Sequence, residues 1–376
     1  MRPAITTLAL TRSWLFVPYG ERAPTASGRP TITCDGRVAG ATLELTHWTD
    51  NMTPDLLYAD TSTECALNLA RARLERSEYT EFDDALVINN HFDTDGVLSI
   101  WACLQPSEAL DCAPLLASGA AAGDFGEWQT DAGVKLDRAI GAMGAEADDD
   151  AAAYDLCLDR LPWLLDDLDS GDYFINERVT ARKPTRCSHS GHNARCTSAS
   201  FVRCAGGRAS RNLWEPGWRA VEASYEDIAA GRVKIPRDLD GYLGDLALCE
   251  SEGAVRVNHY ALSRAISDNR DGAAPVRWLR VRTSGTGAVC RYRYEYELPG
   301  HGWVKRLVTR RAVPPADGTA LAAALSAALG AGESWAAGGS AGLTAVCHSV
   351  GAITATPAEV VGALRRSDAA LAGSMR

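Results

Sequence analysis

Two stretches of this chain share one grammar: an apolar run, a short polar turn, then a helix with an apolar side. That grammar limits the folds open to it. LLYADTSTECALNLARARLER (56–76) predicts a short strand, a turn at Asp60 to Ser62 and a helix with Ala66, Leu69, Ala70 and Leu74 on one side, capped by Thr61 or Ser62. DDALVINNHFDTDGVLSIWACLQ (83–105) predicts a buried strand ALVI, the turn NNHFDTDG and the helix VLSIWACL. Two such units in succession point to an α/β fold with a parallel, Rossmann-like sheet. Ligands collect at the carboxyl ends of the strands in such sheets, where both turns lie. ATLELTHW (41–48) alternates as a further strand.

The length of 376 residues suits two domains or one with an insertion, and 46% hydrophobic residues fill a core, which excludes a wholly disordered chain. Lys and Arg number 38 against 48 Asp and Glu, and the net charge of −10 disfavours long nucleic acid as a partner. Eleven scattered cysteines do not form the dense ladder of a small secreted domain, so buried, reduced thiols are expected. No run reaches the roughly 18 uncharged apolar residues of a membrane span. The N-terminal apolar stretch is too short for a secretory leader, so a cytoplasmic protein is expected.

The expected organisation is an α/β domain over 1–139, a helical and basic-loop insertion over 140–235, and a smaller α+β domain over 236–376. Residues 148–172 carry nine Asp and one Arg on a helix with a leucine side, whereas 178–219 carry eight Arg and one Lys. Such contrast marks two solvated surfaces, or a basic insertion leaning over an anionic substrate. Within the basic stretch Cys187, His189, His192 and Cys196 are packed more tightly than the paired hooks of structural zinc sites, and both zinc and a plain polar loop stay open. Further on, WLRVRT (278–283) and VCRYRYEYEL (289–298) read as strands, 319–331 as an Ala-rich helix, and 356–367 as a helix opened by a Thr356/Glu359 capping box.

The chemistry concentrates in His91-Phe-Asp93-Thr-Asp95-Gly96, directly after the buried strand. Ligand-type side chains at alternate positions of an extended segment point the same way. Carboxylate and imidazole donors suit Mn²⁺, Mg²⁺ or Zn²⁺. Gly96 is expected to let the backbone turn sharply into the helix. The competing reading has Asp93 and Asp95 capping that helix and His91 as a hydrogen-bonded loop residue.

HFDTDG after a buried strand resembles motif I of the DHH phosphoesterase superfamily, in which the His and both Asp bind a manganese pair. The resemblance implies His91, Asp93 and Asp95 as ligands, Asp124 in AAGDFGEW as a later ligand, and a two-metal hydrolytic mechanism. No Asp-His-His sequence occurs in the chain. Asp60 and His47, at the ends of neighbouring expected strands, are the replacements considered, with Asp60 and Asp95 as the catalytic candidates. The superfamily's glycine-rich substrate loop has a counterpart in AGGSAG (337–342), without its His. There Gly338, Gly339 and Ser340 would offer backbone N–H groups to an anion, with Arg310 or Arg311 as a phosphate clamp. The whole chain is also similar to an uncharacterised group of actinobacterial proteins, through THWTDNMTPDLLYADTSTECAL, VINNHFDTDGVLSIWA, GDF and YRYEYEL.

The leading expectation is thus a metal-dependent hydrolase of a phosphoester or small anionic metabolite, soluble and free or homodimeric. The alternatives are a one-metal, non-phosphate hydrolase or transferase of bacterial specialised metabolism, and a non-catalytic ligand-binding protein.

Overall fold

The computed structural model describes residues 13–24, 28–169, 199–234, 246–252, 258–269, 277–284, 290–297, 304–310, 318–330, 332–338 and 345–374. Two compact units divide the chain: 1–123 with 129–218, and 124–128 with 219–376. The expected boundary at 139 falls inside a helix, Asp131–Glu146, which stays with the first unit.

The first unit is built on four short strands, β1 Trp14–Phe16, β2 Thr31–Cys34, β3 Leu43–Leu45 and β4 Leu86–Asn89, in the order β1-β4-β2-β3. Every neighbouring pair is parallel. All four residues of β2 and of β4 are buried, the pattern of strands covered on both faces. The α/β class is therefore the one the sequence predicts. The strand expected at 56–58 is a turn instead. Pro54 starts it, and the N–H groups of Leu57 and Tyr58 both close on the Pro54 carbonyl at 2.9 and 3.0 Å, leaving no ladder donor there. Leu57 is buried as an anchor of that turn and not as a strand residue.

Helix α1, Ser62–Arg76, follows with a capping box. Thr61 accepts from the Glu64 N–H, and the Glu64 carboxylate accepts from the Thr61 N–H. Helix α2, Thr94–Leu104, is capped by Asp93, whose Oδ1 takes the Gly96 N–H at 2.7 Å. Then come α3 Pro106–Asp111, α4 Ala113–Phe125, α5 Asp131–Glu146 and α6 Asp150–Asp169. Helix α6 is the expected acidic helix: Leu161, Leu164, Leu165 and Leu168 are buried while Asp155, Asp159 and Asp166 are exposed. Helix α7, Ala199–Ala229, contributes to both units.

In the second unit six strands, β5 Val233–Lys234, β6 Leu246–Glu252, β7 Arg277–Ser284, β8 Arg291–Glu297, β9 Trp335–Ala337 and β10 Ala345–Ser349, run in the order β5-β6-β7-β8-β10-β9. Among the described residues of this sheet only the β6–β7 pair is parallel. Helices α8 His259–Asn269, α9 Gly318–Leu329 and α10 Pro357–Ser374 complete it. Leu279, Val281, Tyr294 and Tyr296 of the sheet pack with Leu321, Leu325, Val360 and Leu364 of α9 and α10. The Thr356/Glu359 capping box forms as expected. Among the described residues no helix is long and apolar enough to cross a membrane.

Gly96 does not turn the chain; it lies in the first turn of α2, where a Cβ would meet the Tyr154 hydroxyl at 2.4 Å and Asn89 Nδ2 at 2.6 Å. Helix propensity alone makes Gly96→Ala favourable by about 1 kcal/mol. Overpacking of this kind costs roughly 1–3 kcal/mol and decides the sign. The urea midpoint of Gly96→Ala is expected to fall; a rise means that the Tyr154 side gives way freely.

In the second unit His259 packs against Gly126, and burial, with the charge of Arg280 adding to it, pushes its pKa down to about 4. The native ring stays neutral where the unfolded ring takes a proton, so stability is lost as pH falls from the unfolded value near 6.5 towards 4, by up to roughly 3 kcal/mol. Urea titrations at pH 7 and 4.5 should show a smaller loss in His259→Gln than in the parent, and an equal loss would remove His259 from the account.

Candidate metal centre

The carboxyl ends of β4, β2 and β3, three adjacent strands, bring five ligand-type side chains together. Asp35 follows β2 in the left-handed region (φ 58°), a conformation Asp adopts more readily than most residues. His47 follows β3, His91 and Asp93 follow β4, and Asp95 sits in the first turn of α2. They form two groups that share Asp35: Asp35 with His91 and Asp93, and Asp35 with His47 and Asp95, the ligand atoms of each lying within 4.8 Å of one another.

The two groups differ in depth. In the inner one Asp35, His47 and Asp95 are all at most 1% exposed, with His47 Nε2 3.5 Å from Asp35 Oδ1 and 3.7 Å from Asp95 Oδ2. In the outer one His91 Nε2 lies 2.8 Å from Asp35 Oδ2 and 3.2 Å from Asp93 Oδ2, and the His91 and Asp93 side chains are 26% and 42% exposed. Solvent thus reaches the cluster from the His91 and Asp93 side.

Each side chain is held by its neighbours. The N-terminus of α1 takes the Asp95 carboxylate, Ser62 N–H donating to Oδ2 at 2.7 Å and Thr63 N–H to Oδ1 at 2.8 Å. The Ser62 hydroxyl donates to Asp35 Oδ1 at 3.1 Å. His47 Nδ1 donates to the Asp60 carbonyl, which can only accept, so Nε2 is the atom turned to the carboxylates. Asn90 gives its Nδ2 to the Arg37 carbonyl at 2.9 Å, which leaves its Oδ1 for His91 Nδ1 at 3.1 Å. His91 Nε2 therefore also faces inward. The Trp48 ring lies 5.0 Å from the imidazole of His91, centroid to centroid.

Three carboxylates surround two imidazoles. Burial lowers the His91 pKa, but the charge of Asp35, with Asp93 behind it, outweighs this and raises it to about 11. His47 also goes up against its burial, through Asp35 and Asp95. Burial favours the protonated form of Asp35, yet the charge of His91 and the contacts to both imidazoles hold its carboxyl well below the usual range. Asp95 rises, first by burial and then by the charge of Asp35. The acid surplus and the inward nitrogens suit a divalent cation. So does the buried Asp35 Oδ2, whose 2.8 Å contact to His91 Nε2 is not aligned as a hydrogen bond.

Of the ligands expected from the sequence, His91, Asp93, Asp95 and His47 meet here. They do not all point one way: Asp93 is the N-cap of α2 and Asp95 its second residue, so the turn of the helix sends them to different groups. Asp60 is buried and contributes its carbonyl to His47, and its carboxylate is in neither group. Asp95, expected as catalytic, is fully buried and bonded to the α1 backbone. Asp124 lies near the end of α4 with the second unit and is in neither group. Arg310 is no open clamp: its Nε and an Nη grip both Glu127 oxygens at 2.8 and 2.9 Å, and its guanidinium lies 4.4 Å over the Phe125 ring. Gly338 follows β9 in the second unit. Arg311, Gly339, Ser340 and the quartet Cys187, His189, His192 and Cys196 lie outside the described residues. Asp35, the shared member, was not foreseen. Its signal is the phrase TITCDG, a buried four-residue run ending in Asp-Gly at the same strand end as His91.

Among curated proteins none matches the chain. Residues 12–355 match the profile of a family of unknown function, DUF6687, and the chain belongs to that family.

Proposed function

We propose that this chain is a divalent-metal-dependent hydrolase acting on a phosphoester or another small anionic metabolite, in the manner of the DHH phosphoesterases. The observation that carries the reading is the pair of three-ligand groups sharing Asp35, at the carboxyl ends of parallel strands, with one group open to solvent. Support also comes from HFDTDG directly after the buried strand β4. Manganese is the first choice and Mg²⁺ or Zn²⁺ the alternatives, because oxygen donors dominate and the two nitrogens are imidazole. Asp35, His91 and Asp93 would hold one cation and Asp35, His47 and Asp95 another. Bound there, the metals would supply a water acidified to near neutral pH and Lewis acidity at the substrate oxygens. The chain's own part is to place Asp35 between the groups, to fix both imidazoles through their Nδ1 bonds, and to admit an anion from the Asp93 side. Its free cysteines, including Cys34 and Cys103 with Sγ atoms 3.6 Å apart, fit the reducing interior of a cell.

One observation favours a second reading. Both Asp95 oxygens already accept backbone N–H groups, so the inner group can stand as a structural ion network while a single outer metal serves non-phosphate hydrolysis or group transfer.

Metal analysis separates them. Purified protein reconstituted with Mn²⁺ is expected to hold two equivalents and to cleave a generic phosphodiester or nucleotide. Asp35→Asn should lose both equivalents and fall to background activity. One equivalent, with no phosphoester cleavage, supports the second reading, and none at all leaves a non-catalytic binding protein.

Proton release gives an independent check. With its pKa raised to about 11, His91 carries a proton at pH 7 that must leave before Nε2 can ligate. Mn²⁺ titration by calorimetry in two buffers of different ionisation enthalpy should show about one proton or more released per outer metal, and weaker binding at lower pH. Uptake with no proton release would exclude His91 as a ligand.

A further inference from the structure

The outer group depends on two separate loops, the one after β2 that carries Asp35 and the one after β4 that carries His91. Asn89, the last residue of β4, is bonded to both. Its Oδ1 accepts the N–H of Gly36, next to Asp35, at 2.9 Å and the N–H of Asn90, next to His91, at 2.8 Å. Its Nδ2 donates to the His91 carbonyl at 3.2 Å and to the Tyr154 hydroxyl at 2.7 Å. The Tyr154 hydroxyl passes the chain on, donating to the same His91 carbonyl at 2.9 Å. All four hydrogen-bonding positions of the Asn89 amide are thereby used.

Tyr154 comes from α6 and is fully buried, its ring packed against Trp14 and Phe92 at 5.4 Å each. Gly36 and Gly96 leave room for the network. A Cβ on Gly36 would meet Asn89 Oδ1 at 2.4 Å, and one on Gly96 would meet both Tyr154 and Asn89. The inner group has other supports, the α1 N-terminus for Asp95 and the Asp60 carbonyl for His47.

We infer that Asn89 and Tyr154 are a positioning pair that sets His91 against Asp35 and so tunes the outer metal position more strongly than the inner one, with which it shares only Asp35. This rests on the metal reading above, but the two fail separately. Partners of this kind, which orient ligands without touching metal, typically cost 10- to 100-fold in metal affinity when removed.

The test compares the parent with Tyr154→Phe, which keeps the ring and loses only the hydroxyl, with Asn89→Ala, and with Tyr294→Phe. The last removes a buried hydroxyl that bonds the Ala355 carbonyl in the second unit. Mn²⁺ titration should show the outer step weakened roughly tenfold in Tyr154→Phe and up to about 100-fold in Asn89→Ala. The inner step should keep its parental affinity in Tyr154→Phe and weaken less than the outer step in Asn89→Ala, which also strips the acceptor from the Gly36 N–H beside the shared Asp35; Tyr294→Phe should change neither. In metal-free protein the ring ¹⁵N resonances of His91 should shift or broaden in the first two variants while those of His47 hold. An unchanged outer step, or equal weakening of both steps, overturns the inference. If the parent binds no Mn²⁺ the metal reading falls, and unmoved His91 resonances in Tyr154→Phe then overturn the positioning role as well. If Asn89→Ala does not fold, Tyr154→Phe carries the test alone.

Discussion

At the end of β2 a single carboxylate faces two imidazoles, one on each oxygen, and the first unit is arranged around that contact. Asp35 is held in a left-handed turn, buried, and kept ionised by His47 and His91. A buried carboxylate without such partners would take up a proton, because desolvation penalises its charge. The partners in turn need acids of their own, which Asp93 and Asp95 provide from the start of α2. Strand order serves the same contact: β4 and β3 flank β2, so the loops bearing His91 and His47 reach Asp35 from opposite sides. Crowded carboxylates are a destabilising arrangement in a metal-free protein, and proteins retain such arrangements where binding or catalysis repays them.

Much of this was legible in the sequence. The buried run ALVI, the polar turn after it and the apolar helix VLSIWACL give β4, the His91 loop and α2 nearly residue for residue, because burial on both faces writes an unbroken apolar pattern. The helix start at Thr61 or Ser62 and the capping box at Thr356 are local devices, and local devices can be read locally; that Thr61 is the cap, with Glu64 closing a box, comes from the structure. What failed depended on tertiary context. LLY at 56–58 has the composition of a strand, but the bonds of Leu57 and Tyr58 to the Pro54 carbonyl make it a turn. The alternation that seemed to align His91, Asp93 and Asp95 ends where the helix begins, at Asp93.

Asp35 escaped notice for a different reason. A lone Asp-Gly after the run Thr-Ile-Thr-Cys is an ordinary turn signal, and its meaning comes only from β2 lying between β3 and β4. Asp60 reads as a ligand because it stands in a polar turn at the end of an expected strand. The structure uses the turn, with the backbone of Asp60 orienting His47 and the N–H groups of Ser62 and Thr63 receiving Asp95. Arg310 shows the converse, a cation whose obligations lie with Glu127 and Phe125 of its own unit, which no spacing along the chain announces.

The glycine at position 96 carries an implication for how such sequences diverge. The space a Cβ would need is filled by the Tyr154 hydroxyl and the Asn89 amide, which come from an acidic helix and a strand end far apart in the chain. Positions 89, 96 and 154 are therefore coupled through one small volume. A side chain at 96 would be accommodated best by a shorter residue at 154 or a different one at 89.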